Sequence, residues 1–404
     1  MPPSDASSRG TTSSGIRAKA FAAGVAAASL LAACTGSSGT ATLSTPSPAP
    51  GSPGAPSPSP PPCVQPAARP VASGVSSADP VLLLASGLNG PDDLLYQDGG
   101  TVLVGEHGDG HIARITADGA LSRLPQVVQE VEGFAQIGDT VFVADQFHAR
   151  VVALTSTGVQ TLIQLQPVAS GENLDGISTD LKGSGLVVPD SPHGAVLFVD
   201  TSGRITGRTG GFSRPAGSAS DPYLGGYLIS DENASAVFEL NNGRVSRLAG
   251  GLPGVDDAVR DARHHLLAIL PGRGQLFDAT SGGALASGLR NPQGLAFDGA
   301  QNLLVTESDN GRLDLVVTSF AVTVPAGVIQ LAPGQGVCYG ILRAPGNTDS
   351  IRVSEAVGAM PLDDPSGGSQ GEVLPTRCTL PLCTVSLTVQ GPTGVEYAQF
   401  SYRD

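Results

Sequence analysis

A unit of about 40 residues recurs six times along this chain, and no other feature restricts its fold as much. An acid stands six residues before an apolar residue in five copies: Glu106 and Ile112, Asp145 and Val151, Asp190 and Val196, Asp231 and Val237, Glu307 and Leu313. A sixth copy, "LAILPGRGQL", has Leu270 where the acid should stand. Successive copies are 37 (307 − 270) to 45 (190 − 145) residues apart. A second column runs upstream in the same register: Asp92, Glu132, Asp175, Ala216, Asp256 and Gln293. Glycine-bearing turns such as "ADGAL", "TSGRI" and "NNGRV" follow each unit. Four short strands per unit, repeated six times, predict an all-β fold, a six-bladed β-propeller. One strand is out of place. "LLLASGLNGPDDL" has the form of a fourth strand running into a first, yet it precedes the first unit. It is expected to be the outer strand of the last blade, so that an N-terminal strand closes the ring and leaves no long edge open.

Composition agrees with many strands and tight turns. The 404 residues include 54 Gly and 32 Pro, and only 4% are aromatic. The net charge of −14, with Lys19 and Lys182 as the only lysines, excludes an electrostatic nucleic-acid binder, which needs clustered bases against phosphate.

Residues 1–33 read as a targeting segment. Arg9, Arg17 and Lys19 precede the short apolar run Ala20 to Ala33, which is too short to span a bilayer comfortably. The run ends in "LAAC", matching the bacterial lipobox, which implies lipidation of Cys34. Residues 34–79, rich in Pro, Ser and Gly, read as a disordered tether that cannot bury a core. The expected location is therefore the cell membrane, lipid-anchored and facing the extracytoplasmic side. The expected partners are that membrane and a protein or carbohydrate ligand, with the chain a monomer.

The propeller is expected over residues 80–320. After it the period stops, and residues 321–404 predict a small C-terminal β-sandwich-like domain with Pro/Gly turns. With Cys34 lipidated, four disulfide candidates remain in an oxidising compartment: Cys63, Cys338, Cys378 and Cys383. They allow three pairings. A local Cys378–Cys383 loop would leave Cys63 for Cys338. No His lies at zinc spacing from them.

The copy "NPQGLAFDGAQNLLVTESDNGRL" resembles the NHL-repeat and gluconolactonase-like six-bladed propellers, over about Val81 to Val317. Glu307, Asn310, Arg312 and Leu313 nearly keep the NHL pattern Asp-x-x-Asn-x-Arg-apolar; other copies depart, with His148 and His193 in the Asn position. The resemblance is specific for fold. It implies a divalent metal held by Glu, Asn and Asp on inner strands.

The two columns invite different readings. Five equivalent acids suit structure, each accepting backbone N–H groups from the following turn. The upstream column begins each innermost strand, at the mouth of the central channel. There Asp92, Glu132, Asn173, Asp175, Asp256, Asn291 and Gln293 form the expected ligand or metal site, with Arg214 nearby. Oxygen donors converging on one axis suit a divalent cation such as Ca²⁺. No catalytic residue stands out. The leading reading is a surface-anchored lipoprotein whose propeller face binds a ligand or protein partner. The alternative is a divalent-metal-dependent lactonase, hydrolase or lyase, with Glu132, Asn173 and Asp256 able to serve.

Overall fold

A computed structural model of the chain describes residues 62–171, 173–363 and 368–404. The targeting segment 1–33, Cys34 and the tether as far as residue 61 lie outside them.

Six antiparallel sheets, five of four strands and one of five, follow one another, and their innermost strands neighbour one another in a closed ring. These strands begin blades 1 to 6 at Pro91, Val131, Ser178, Pro215, Ala258 and Pro292. The chain is thus a six-bladed β-propeller. Blade 6 takes its outer strand, Val81–Ser86, from the N-terminal side; this strand pairs antiparallel with Arg312–Val316, as the sequence anticipated. Closure in this way ties the two ends of the ring together by main-chain hydrogen bonds.

The repeat is a packing pattern. The apolar residue six after each acid column position is Ile112, Val151, Val196, Val237, Leu276 and Leu313, and every one is 0% exposed. Two residues before the column stand Val104, Val143, Val188, Ile229, Ala268 and Val305, also fully buried. Second and third strands are covered on both faces by neighbouring blades, so they read as near-continuous apolar runs. Each such burial contributes about 1.5–3 kcal/mol for a Val, Leu or Ile side chain.

The acid column is structural, but its partners differ from expectation. Glu106, Asp231 and Glu307 accept N–H groups from the loop that enters their own blade, at Asn89, Ser213 and Arg290. Asp145 and Asp231 accept an N–H of the following turn, at His148 and Ala234, and Asp190 and Glu307 meet side chains of it, at His193 and Asn310. A carboxylate at the end of the second strand lies directly beside that entering loop, which is why the loop competes for it. Blade 5, which has Leu270 instead, gains a fifth strand: Ser76–Ser77 pairs with Ala286 and Ser287.

Beyond the propeller two four-stranded sheets form the C-terminal β-sandwich, joined by a core of Phe320, Tyr339, Phe400 and Tyr402. Val395 N–H donates to Gly299 of blade 6 at 2.7 Å, and Thr393 Oγ1 donates to Ala300 at 3.0 Å, fixing the sandwich to that blade. The disulfides are Cys63–Cys338 and Cys378–Cys383.

One expectation is corrected. Residues 62–79 are not tether. Val64 bridges to Val337, Ala67 N–H donates to Val324, and Ala72 N–H donates to Val81. The disulfide at Cys63 fixes this stretch, and an extended Pro-containing segment can lie along a surface without needing every N–H paired.

Candidate functional site

The innermost strands carry a β-bulge where the upstream column sits. In blade 1 the pairing jumps from Pro91–Glu106 to Leu94–Val104, so Asp92 and Asp93 together face one partner residue. The same shift falls at Val131/Gly133, Pro215/Ser218 and Pro292/Leu295. A bulge re-aims side chains. In these four blades it re-aims the column residue and its neighbour, and the residues at the channel mouth fall into two stacked levels.

The upper ring holds Asp92, Glu132, Asp175 and Asp256, gathered around one small cavity. The lower ring is a neck of Gly133, Gly176, Gly217 and Gly294 with Asp93 and Asp257. The glycines are required by close approach: a Cβ on Gly133 would lie 2.5 Å from Ile177 N, and one on Gly294 would lie 2.7 Å from Asp92 O. Asp93 and Asp257 fit because each reaches to the next blade, accepting N–H from Phe134 at 3.1 Å and Leu295 at 3.2 Å.

Crowding these carboxyls away from water raises their pKa values. Burial pushes Asp92 well up, and Glu132 beside it adds to this. Burial, then Asp175, raises Glu132 well above the usual range. Burial, then Asp92, does the same for Asp256. In the neck, burial takes Asp257 to about 7, and burial with Asp257 nearby raises Asp93 well up. Asp175 rises only to about 6, because Arg214 opposes its burial.

A third column covers the ring. The residue after the acid column position reaches the ring in three blades, as His107, Gln146 and Ser191. His107 Nδ1 lies 2.5 Å from Glu132 Oε1. Gln146 Nε2 donates to Asp175, and Ser191 Oγ accepts the Asp175 N–H at 3.2 Å. Arg214 pairs with Asp175 at 2.9 Å and with Glu232 at 2.5 Å. Asp175 is thus held by a chain of partners, whereas Asp92, Glu132 and Asp256 are held mainly by one another.

The structure brings five of the seven expected site residues to the axis: Asp92, Glu132, Asp175, Asp256 and Gln293, whose amide reaches Asp256 Oδ2 at 3.1 Å. Two are corrected. The Asn173 amide is consumed by backbone groups, accepting from Val168 and donating to Gln146 O and Gly171 O. Asn291 occupies a left-handed turn at φ +50°, where its carbonyl accepts the Ser308 N–H. Asparagine suits that conformation, so its place is explained by the backbone. His107 and Asp93 were missed. The signal for both was position: one residue beyond each column.

Asp92, His107 and Glu132 each offer a donor atom, and the three atoms lie within 4.8 Å of one another. That set fits a divalent cation. It combines two carboxylates with an imidazole and has a buried negative charge that otherwise keeps protons.

No family model matches the chain, and no curated protein matches it in sequence. Solved structures do. The virginiamycin B lyase from Staphylococcus aureus is 13% identical, covering 75% of this chain and 99% of that one, at a TM-score of 0.44. A gluconolactonase from Xanthomonas campestris is 16% identical, covering 64% and 97%, at 0.47. A nidogen/laminin complex contributes a chain 17% identical, covering 52% and 90%, at 0.43. At these identities and TM-scores the likeness carries no argument about this chain's activity or fold.

Proposed function

We propose that the channel mouth is a divalent-cation centre performing hydrolysis or elimination on a small uncharged substrate. The observation that carries this reading is the convergence of Asp92, His107 and Glu132 from two adjacent blades. When bound, a cation there would polarise a substrate oxygen and lower the pKa of bound water. The imidazole shifts the choice of ion from Ca²⁺ toward Mn²⁺ or Zn²⁺, because calcium takes oxygen donors. Asp92, His107 and Glu132 would hold it. Asp256 faces them with a carboxyl that keeps its proton, as a general acid toward a leaving oxygen requires. Gln293 orients that carboxyl. Arg214 and Gln146 hold Asp175, fixing the third wall. The acidic ring repels anions, and the glycine neck keeps the substrate in the mouth.

The test is an assay of neutral esters and lactones with Mn²⁺ or Zn²⁺ present. Turnover that disappears in Glu132→Gln supports the reading; no turnover by any of them, or turnover unchanged in that variant, removes it.

A second reading is a surface lipoprotein whose propeller face only binds a protein or carbohydrate. The "LAAC" ending at Cys34 favours the anchor. Cys34→Ala should release the protein from the membrane fraction, and persistence there would count against lipidation.

A further inference from the structure

The C-terminal sandwich is held to blade 6 at one end. Its strand Val395–Arg403 begins at the contact with Gly299 and runs away from it for nine residues, on the order of 30 Å. The far end carries an apolar tip made of two turns. Leu380 and Leu382, 67% and 42% exposed, stand in the loop closed by Cys378–Cys383. Val357 and Met360, 58% and 56% exposed, flank a tight turn at Gly358, whose φ is +81°. Strand register brings the two turns together. Cys383 pairs with Tyr402 at the far end of that strand, and Val357 pairs with Ser386 on the same strand as Cys383. Thr376 N–H, just ahead of Cys378, donates to Gly358 at 2.9 Å.

Large apolar side chains grouped on neighbouring turns mark a contact surface, whereas single scattered ones do not. Where the N-terminal chain enters indicates what covers this one. The Gln335 amide donates to Pro62, Val64 N–H donates to Gly336, and Cys63 is bonded to Cys338. Across the same sheet Val337 pairs with Val373, and Leu374 pairs with Met360. Pro62 therefore joins the sandwich at the end that carries Met360, two strands away. Residues 35–61, which number 27 (61 − 34), separate that point from Cys34 of "LAAC". They reach at most about 95 Å when fully extended. A lipid on Cys34 thus keeps this end of the sandwich concentrated near a bilayer.

We propose that the tip inserts into the headgroup–acyl boundary of a lipid bilayer. The proposal rests on the lipobox reading for its delivery to the membrane and not on the reaction at the mouth. Shape favours lipid over a second copy of the chain. Leu380 and Leu382, on either side of Pro381, project from a short disulfide-closed loop. A projecting knob finds no hollow on an identical knob, whereas a fluid acyl layer closes around it. The exposed charges near the tip balance, Arg377 and Arg403 against Glu355 and Asp404. The contact is therefore apolar and does not select anionic headgroups.

The chain contains no Trp, so a single Trp placed at the tip reports on the tip alone. Leu380→Trp in the full chain, with Cys34→Ala to remove the lipid, is mixed with vesicles of phosphatidylcholine, with and without phosphatidylglycerol. Its emission should shift to the blue and be quenched by brominated acyl chains, equally in both vesicles. Phe147→Trp, in the mouth-side turn of blade 2, should show neither effect. Adding Leu382→Ser and Met360→Ser to the Leu380→Trp chain should raise the lipid concentration for half-maximal quenching about tenfold. Both side chains are exposed, so these changes spare the core. Absence of quenching at Leu380→Trp would overturn the proposal. So would equal quenching at Phe147→Trp, quenching that requires phosphatidylglycerol, or quenching indifferent to the two serines. A blue shift that grows with protein concentration in the absence of lipid would make the occupant a second copy and overturn it as well. Failure of the anchor shows separately, as Cys34→Ala remaining in the membrane fraction of cells.

Discussion

His107 Nδ1 and Glu132 Oε1 lie 2.5 Å apart, so a turn of blade 1 meets the innermost strand of blade 2 directly over the channel. His107 is 44% exposed. With Glu132 buried but His107 largely in solvent, the contact contributes little to stability, about 0–1 kcal/mol. His107→Ala should therefore leave the urea midpoint nearly unchanged. Turnover of whichever neutral ester or lactone the chain accepts should fall about 10²-fold. A stability loss with unchanged turnover would make the contact structural.

The neck should be sterically intolerant in a graded way. A Cβ on Gly133 would meet Ile177 N at 2.5 Å, while one on Gly176 would meet Ala216 O at 3.4 Å. Gly133→Ala should cost about 1–3 kcal/mol by urea unfolding, and Gly176→Ala less. Equal costs would mean that the inner strands are not packed as described.

The two disulfides should differ in weight. Cys63–Cys338 closes a loop with a sequence separation of 275, and Cys378–Cys383 one of 5. In the chain-entropy account the long loop stabilises by roughly 5 kcal/mol and the short one by about 2 kcal/mol. Cys63→Ser with Cys338→Ser should lower the melting temperature by more than Cys378→Ser with Cys383→Ser.

Stability should carry a pH signature inside blade 6. Burial, and then the hydrogen bond to Glu307, raises Asp314 to about 8. Its proton is held more tightly folded than unfolded. Its contribution is therefore fully present below about pH 4 and is lost as pH rises toward 8. Glu307 is shifted downward, toward the charged form that accepts from Arg312 at 3.1 Å. Asp314→Asn should flatten the fall in unfolding free energy between pH 5 and pH 8, read by urea titration at each pH. An unchanged slope would place the titration elsewhere.

The fold was legible because its cause is periodic. Ile112, Val151, Val196, Val237 and Leu313 fill equivalent places between blades, so the sequence repeats wherever the packing does. The closing strand Val81–Ser86 was legible for the same reason. The site was legible only in part. Asp92, Glu132, Asp175 and Asp256 stood in register, but the bulge that exposes a second residue per strand leaves no apolar period, so Asp93 was passed over. His107 carries no periodic signal of its own, because the repeat marks its neighbour Glu106 and the residue after the acid varies from blade to blade. Asn173 and Asn291 stood close in sequence, yet loop hydrogen bonding and backbone conformation decided their places. Residues 62–79 read as tether through composition, although the Cys63–Cys338 pairing that anchors them was one of the pairings the sequence allowed.

The central claim is a cation held by Asp92, His107 and Glu132. Calorimetric titration of Mn²⁺ into the metal-free full chain tests it most directly. The account predicts one saturable site whose affinity falls at least tenfold in Asp92→Asn and in Glu132→Gln, while Asp298→Asn at the far end of the propeller leaves it unchanged. Absence of saturable binding of Mn²⁺ and of Zn²⁺, or binding undiminished by both ring variants, would contradict it.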